Sequence, residues 1–342
     1  MKILVTGGNG FIATNFNRLL LEKNYYVDSL DNLSYASNKV NHSDFLSDDN
    51  FTFIHSDIRN DEIYEYIKKN KYTAVINFAA ESHVDRSIKN DSEFLSTNIN
   101  GTHNLITACK RLISERVLKS DFKFIQISTD EVYGSLNNND NPFTESSILK
   151  PSNPYSATKA SADLLCLSYY KTYEFPVIVS RCSNNYGPYQ HPEKLIPLSI
   201  SKVKQDLKVP IYGNGQQIRD WIHVDDHCRG ILAVLENGVT GQIYNFGGSS
   251  ELANIDCVKT LIENLKPGKN PKKYMEFVKD RPGHDIRYAI DSSKAFQQLS
   301  WEAQNTFSQG IAKTISWYSH NSKWLEDITN NEEYKKWEKT NY

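Results

Sequence analysis

Thr6-Gly7-Gly8-Asn9-Gly10-Phe11-Ile12-Ala13 is the stretch whose reading decides the fold. A short apolar run, Ile3 to Val5, leads into it, and a helical pattern from Asn15 to Lys23 leads out. Glycines let the backbone approach a pyrophosphate closely, and the N-terminus of the next helix offers unpaired N–H groups at the positive end of its dipole. The spacing is GxxGxxA from Gly7, or GxGxxA from Gly8. Such a turn is only moderately specific alone, but this one closes the first strand and precedes Asp31, which ends a second apolar stretch about 20 residues after Gly10. Gly7, Gly10, Phe11 and Ile12 are therefore expected around a dinucleotide, with Asp31 and Asn32 at its adenosine ribose. An Asp there accepts from the 2′-hydroxyl and repels a 2′-phosphate, which favours NAD over NADP. Asp57-Ile58, after the third apolar run, is the candidate for the adenine amino group.

Outward from that turn, short apolar runs recur between helical patterns at Phe51 to Ile54, Ala74 to Phe78, Phe122 to Ile127 and Pro176 to Val179. Strands alternating with helices imply a parallel sheet covered on both faces, the doubly wound α/β pattern of a Rossmann fold. Beyond Tyr186 the chain is broken by Gly187-Pro188, His191-Pro192, Pro197, Pro210 and Gly213-Asn214-Gly215 into shorter elements. This predicts a first lobe over residues 1–186, a smaller α/β lobe over 187–325 and a polar C-terminal tail over 326–342, read as a frayed helix or a short tail, with parts of about 220–250 (Trp221 to Leu235, Ile243 to Phe246) threading back to complete the first sheet.

The chain has 342 residues, enough for two lobes with real cores. With 39 Lys+Arg against 41 Asp+Glu, the net charge of −2 gives no electrostatic reason to expect nucleic acid or an anionic membrane. The start, Met1 to Gly7, lacks a signal-peptide core, and no apolar stretch is long enough to span a bilayer. Five widely spaced cysteines without ligand spacing read as buried thiols of a reducing cytoplasm.

The chemistry is carried by Ser128-Thr129-Asp130-Glu131-Val132-Tyr133-Gly134 and, downstream, Tyr155-Ser156-Ala157-Thr158-Lys159. A Tyr and a Lys four apart share a helix face. A neighbouring ammonium lowers the phenol pKa, so Tyr155 can take a proton from an alcohol while a hydride leaves the same carbon for a nicotinamide. Thr129 is placed to hold that hydroxyl. Asp130 and Glu131 are surplus to simple oxidation. Once a sugar carbon is a ketone, however, the adjacent C–H is acidic, so a base can remove that proton while an acid protonates a hydroxyl leaving one carbon further out. Adjacent strand residues point to opposite faces, so both can act only if the strand has ended before them.

These residues, with FAAESHVDRS at Phe78, RCSNNYGPYQHPEKLIP at Arg181, IYGNGQQIRDWIHVDDH at Ile211 and DRPGHDIRYAID at Asp280, resemble the extended short-chain dehydrogenase/reductases, and within them the dTDP-glucose 4,6-dehydratases of rhamnose and deoxysugar biosynthesis. The likeness weakens before Phe51 and after Asp291, and Ala13 takes the place usually held by a third glycine, implying slightly looser helix packing without loss of NAD. The resemblance implies a hydro-lyase with tightly bound NAD, and Tyr155 as the base for the glucose 4-hydroxyl with Lys159 tuning it. Asp130 would be the acid for the departing 6-hydroxyl, and Glu131 the base for the C5 proton. It adds Ala79, Ala80, Ser82, Thr97 and Ser128 to the cofactor contacts. His83, Thr129 and Asn184 would touch the sugar, and Lys194, Leu195, Tyr212, Arg219, Asn254, Arg281, His284 and Tyr288 the nucleoside diphosphate. Helices near Glu93 to Leu112 and Tyr155 to Tyr173 resemble a homodimer interface.

Plainer readings compete at several positions. His83 reads also as a core histidine. His223, Asp225, Asp226 and His227 read better as a strand-to-helix junction with an Asp cap than as metal ligands, so no metal is expected. The rival functions are a 4,6-dehydratase of UDP-glucose or another nucleotide sugar, a nucleotide-sugar 4-epimerase, which needs no Asp-Glu pair, and an inactive NAD-binding scaffold.

Overall fold

Ile3 and Val5 point to one side of the first strand and Leu4 to the other, and all three are fully buried. That alternation runs through the whole central sheet. The computed structural model describes residues 1–341. In chain order the strands are β1 Lys2–Thr6, β2 Tyr26–Asp31, β3 Phe51–His55, β4 Ala74–Asn77, β5 Lys123–Thr129, β6 Val177–Cys182, β7 Asn184–Tyr186, β8 Val209–Tyr212, β9 Ile218–His223, β10 Ile243–Phe246, β11 Glu251–Ala253 and β12 Met275–Val278. Seven form one sheet in the order β10-β6-β5-β4-β1-β2-β3. All its pairings are parallel. The order reverses at β1, so a crevice opens beyond the carboxyl ends of β1 and β4, where ligands bind in such sheets.

One face of the sheet, with Ile3, Val5, Ile76 and Ile125, packs on Phe16 and Leu20 of the helix Phe11–Glu22 and on Ile231, Val234 and Leu235 of the helix Val224–Asn237. The other face, with Leu4, Val75, Phe124 and Val177, packs on Ile63 and Ile67 of Glu62–Asn70, on Leu105 and Leu112 of Thr102–Ser114 and on Cys166 of Pro154–Tyr173. Truncating one such side chain, Phe16 for instance, costs roughly 3–5 kcal/mol. Ala13 is 1% exposed within the first of these cores, so its methyl is accommodated.

The second lobe is built on two small sheets, β11-β9-β7 and β12-β8. The chain enters it at β7, directly after Cys182, slightly earlier than the turn residues at 187 imply. The segment Trp221 to Leu235, expected to rejoin the first sheet as a whole, divides: β9 pairs with β7 and β11, and only the helix that follows returns to cover the first sheet. Ile243 to Phe246 does rejoin it, as edge strand β10 beside β6. The cap of that intervening helix is His223, which accepts from the Asp225 N–H at 3.3 Å, rather than an Asp.

Of the two forms expected for the polar stretch from 326 on, a frayed helix or a short tail, the described residues take the helical one. Residues Ser322–Thr329 and Glu332–Asn341 are helices, with Trp324, Leu325, Tyr334 and Trp337 buried and Ile328 packed beside the first pair. These apolar residues are too sparse for the period to stand out from the surrounding Lys and Glu. No helix among the described residues is long and apolar enough to cross a membrane. The five cysteines are buried and unbridged.

Candidate active site

β1 ends at Thr6 and the backbone turns through Gly7 at φ +66°. A Cβ on Gly7 would lie 2.7 Å from the backbone of Ala79, so strand β4's exit and the turn approach each other as only glycine allows. The helix begins at Phe11, four residues before the sequence pattern suggested, because Gly10 is its extended cap and no side chain caps it. The first-turn N–H groups are thus left to a ligand. Beside this turn lies a cavity of about 290 Å³. Gly7, Gly10, Phe11, Ile12, Asp31, Asn32, Asp57, Ile58, Ala79, Ala80, Ser82, Thr97 and Ser128 line it, together with Tyr155 and Lys159. The glycine cradle, the uncapped helix and an acidic residue at the end of β2 fit a dinucleotide.

Two of these side chains are more occupied than expected. Asp31 accepts from the N–H groups of Asn9 (2.9 Å) and Leu33 (2.7 Å) and from Ser37 Oγ (2.8 Å). Burial raises its carboxyl, and these donors only partly offset it. Asp57 takes three N–H groups of Arg59, at 2.7 to 2.9 Å, and one from Asn32 at 2.9 Å. Four donors occupy its lone-pair sites, so an adenine at this edge would have to share Asp57 with Arg59 and Asn32. Burial works to raise Asp57, but Arg59 outweighs it and holds the group below its usual range.

β5 ends at Thr129, and Asp130–Tyr133 form a 3₁₀ turn capped by Thr129, whose Oγ1 accepts from the Glu131 N–H at 3.3 Å. The strand therefore stops before the two carboxylates, and both line the cavity. Asp130 is 1% exposed; Thr129 Oγ1 donates to its Oδ1 at 3.3 Å, and its Oδ2 is buried without a partner. Burial, then Glu131 and Asp220, push its carboxyl well above the usual range, which favours the acid form. Glu131 likewise keeps Oε2 buried and unpartnered.

Tyr155 and Lys159 lie on the helix Pro154–Tyr173, started by an Asn153–Ser156 capping box and Pro154. Lys159 Nζ donates to Ile127 O at 2.6 Å. Burial pulls that ammonium down while Asp163, one turn on, pulls it up. Here the structure corrects the sequence reading: Tyr155 is raised well above its usual value, not lowered. Burial and the Glu131 charge dominate, against only a hydrogen bond from Thr129.

A second cavity of about 160 Å³ shares Ser82, Glu131, Asn184 and Lys194 with the first. His83, Leu195, Tyr212, Arg219, Asn254, Arg281 and His284 line it as well. Of its cations Arg219 is buried, while Lys194 and Arg281 are half-buried. Lys194 donates to Ser82 O at 3.0 Å and is pulled down by burial. Arg219 is 4% exposed and sits on strand β9, not in a loop. It donates to Ile218 O at 2.7 Å and Asp285 O at 3.0 Å. Burial works to lower Arg281, but Asp85 (3.4 Å) and Glu131 outweigh it, and its Nε is buried without a partner. Burial takes His83 to about 3 and His284 to about 4, so both are neutral. Tyr288 is displaced from its expected role. It lies outside the cavity lining, beneath the Arg219 guanidinium at 4.3 Å, with its hydroxyl on Asp285.

Sequence reasoning missed Asn98, Asp85 and Glu193. Asn98 lies in a π-helical segment, Leu95–Gly101, and ties Glu81 to the catalytic helix through Thr158 Oγ1 at 2.9 Å. Such widened turns mark functional sites, but no composition signal announces one. Glu193 is 4% exposed, lines both cavities and accepts from Tyr35 (3.2 Å) and Arg86 (3.3 Å). Its partners are more than a hundred residues away, and only its place beside Lys194 could have drawn attention.

A parallel sheet with a glycine turn at its switch point and a Tyr-Lys helix beside it defines a dinucleotide-dependent enzyme of the short-chain dehydrogenase/reductase class. Residues 4–314 match the family model described as GDP-mannose 4,6 dehydratase. The dTDP-glucose 4,6-dehydratase 1 of Escherichia coli K12 is 43% identical, with 100% of this chain and 99% of that protein covered. A crystal structure of DesIV (dTDP-glucose 4,6-dehydratase) from Streptomyces venezuelae with NAD and TYD bound superposes with a TM-score of 0.90 at 41% identity, over 96% of this chain and 100% of that one. A UDP-glucuronic acid 4-epimerase from Bacillus cereus, in complex with UDP-glucuronic acid and NAD, matches at 0.84 and 29%, over 94% and 99%. The chain belongs to the dTDP-glucose 4,6-dehydratase family.

Proposed function

We propose that this protein removes water from dTDP-glucose to give the 4-keto-6-deoxy sugar, with NAD held in the larger cavity and the nucleotide sugar in the smaller. The observation that carries this reading is the pair Asp130 and Glu131, side by side on a turn after β5 and both lining the cavity that holds Tyr155, with burial and the Glu131 charge raising the Asp130 carboxyl. An epimerase requires no such pair. Gly7, Gly10 and the first turn at Phe11 would hold the pyrophosphate, and Asp31 the adenosine ribose. The chemistry that bound NAD supplies is reversible hydride exchange, with C4 of the sugar as source and C6 as destination, and a positive charge that favours the Tyr155 phenolate.

Tyr155 takes the proton of the 4-hydroxyl, which Thr129 orients, and Lys159 limits the cost of the phenolate in a buried site. Glu131 then removes the C5 proton, made acidic by the ketone at C4. Asp130, whose surroundings favour the acid form, gives its proton to the 6-hydroxyl, and the C6–O bond breaks with release of water. Glu131 returns a proton to C5 as C6 is reduced, and the 4-ketone remains. His83 and Asn184 border the sugar, while Lys194, Arg219 and Arg281 offer cations to the diphosphate. The dTDP base is favoured over UDP by the relatives alone; a single methyl is worth only about 1 kcal/mol or slightly more. We also propose a homodimer, since Leu95, Leu164 and Tyr173 leave apolar surface exposed on the helical face formed by residues 92–114 and 154–173.

Incubating the purified protein without added NAD, with dTDP-glucose and separately UDP-glucose, tests the reading. Loss of one water mass from dTDP-glucose, with alkali-induced absorbance of a 4-keto-6-deoxy sugar, is the expected result. Conversion to the galactose isomer would instead restore the epimerase. Glu131→Gln is expected to oxidise C4 and stop before water loss; full turnover by that variant would remove Glu131 from its role.

A further inference from the structure

The helix Glu332–Asn341 is strongly polar except for Tyr334 and Trp337, and these two turn inward onto histidines of the site. The Trp337 ring, 7% exposed, meets the His83 imidazole edge-on at 5.6 Å. Tyr334 packs on His191 at 6.2 Å and its hydroxyl donates to Pro192 O at 3.3 Å. Around them, Glu333 pairs with Arg86 (3.5 Å) and Asn341 accepts from Lys89 (2.8 Å) on the helix Val84–Lys89, while Glu338 pairs with Lys202 (2.6 Å) on the helix Leu195–Lys204. One short helix therefore touches both lobes, at the two segments that carry His83 and the Glu193-Lys194 pair.

We propose that the C-terminal helix is a working part of the site, and that Trp337 is a positioning residue which acts through His83, with its neighbour Tyr334 seated on His191 and Pro192, to set the shape of the sugar–diphosphate cavity. The inference rests on the dehydratase reading. His83 lacks a strong hold of its own: its Nδ1 is buried without a partner and its Nε2 lies 4.0 Å from Glu193. An imidazole tethered so loosely takes its orientation from the rings packed on it. The indole supplies that constraint, and removing it leaves a gap beside a cavity wall rather than in the sheet core.

The test compares Trp337→Ala, Trp337→Phe and wild type, reading kcat and KM for dTDP-glucose, calorimetric affinity for dTDP-glucose and retention of NAD. Trp337→Ala is expected to raise KM and weaken dTDP-glucose binding about tenfold, to change kcat less than about threefold, and to keep its NAD. Trp337→Phe retains an aromatic edge and is expected to return KM to within about threefold of wild type. The charge swap Lys202→Glu with Glu338→Lys is expected to keep KM where either single change raises it slightly. An unchanged KM in Trp337→Ala beside an active wild type would overturn this inference alone, as would equal loss in the Ala and Phe variants with kcat and NAD retention falling together. A wild type that neither binds nor converts dTDP-glucose would overturn the functional reading, and this inference with it.

Discussion

The two lobes meet their ligand sites with different material. In the first, the larger cavity is shaped by backbone: a left-handed Gly7, an uncapped helix start at Phe11, and carboxylates at strand ends whose lone pairs are largely taken by neighbouring N–H groups. In the second, the smaller cavity is shaped by long side chains. Lys194, Arg219 and Arg281 come from three different segments, Arg219 buried and the other two half-buried, and desolvation already works against the charge of all three before any anion reaches them. Backbone recognition is fixed as soon as the chain folds locally. Side-chain recognition requires the whole lobe, and its charges carry a desolvation cost that an anionic ligand relieves.

Gly7→Ala should break the first arrangement most completely. The new Cβ meets the Ala79 backbone, and the left-handed φ adds strain, together roughly 3 kcal/mol or more. NAD should be absent from the purified variant, while calorimetric affinity for dTDP stays near wild type. If dTDP binding fell equally, the lobes would not be separable in this way. Arg281→Ala is the converse. Loss of one buried, charge-assisted contact to the diphosphate is worth roughly 2 kcal/mol, near thirtyfold in KM, with NAD retained; an unchanged KM would place the diphosphate elsewhere.

Acid sharpens the contrast from the first side. His42 bonds Gly8 O at 2.9 Å and is pulled by burial to about 4, below its unfolded 6.5. Between those values the unfolded chain binds the extra proton, so stability is full above 6.5 and is lost as pH falls toward 4. His42 alone contributes about 2 kcal/mol of loss between pH 7 and pH 5. Denaturant unfolding of His42→Gln should show a shallower decline over that window than wild type; parallel curves would remove His42 from this account. The smallest effect concerns Asp130, whose folded carboxyl is raised. The folded state therefore holds its proton longer, and stability falls as pH climbs from the unfolded value, about 3.9, through the folded one. Asp130→Asn should unfold at a slightly higher temperature than wild type at pH 8, with the gap closing near pH 4, while product formation is lost. A lower unfolding temperature at pH 8 would show that the carboxylate is not strained there.

The same contrast explains what was legible in the sequence. A glycine turn, a strand that stops at Thr129 and a Tyr-Lys spacing are local, and the residues that read as cofactor contacts all border one cavity. The cations of the second cavity have no local logic, and only resemblance drew Lys194, Arg219 and Arg281 together. Tyr288 went to the support of Arg219 because family segments name neighbourhoods, not contacts. The Tyr155 phenol was misread because spacing shows Lys159 nearby but shows neither the burial nor the Glu131 charge that dominates it. The C-terminal stretch was open between helix and tail, and its docking was not legible, because two inward residues in ten do not make a visible stripe.

The return of the chain to its first sheet has a consequence for synthesis. Phe16, Leu20, Ile76 and Ile125 are covered by Ile231, Val234 and Leu235, and the sheet edge at β6 is closed by Ile243 to Phe246. A ribosome that has made the glycine turn, the strands and the Tyr-Lys helix has still not made their cover. Until more than two hundred residues have emerged, one face of the nascent sheet is covered only by the helix Phe11–Glu22 and its β6 edge is unpaired. The NAD-binding lobe is thus first in sequence yet cannot be first to finish, and its half-covered sheet is exposed to wrong partners through that interval.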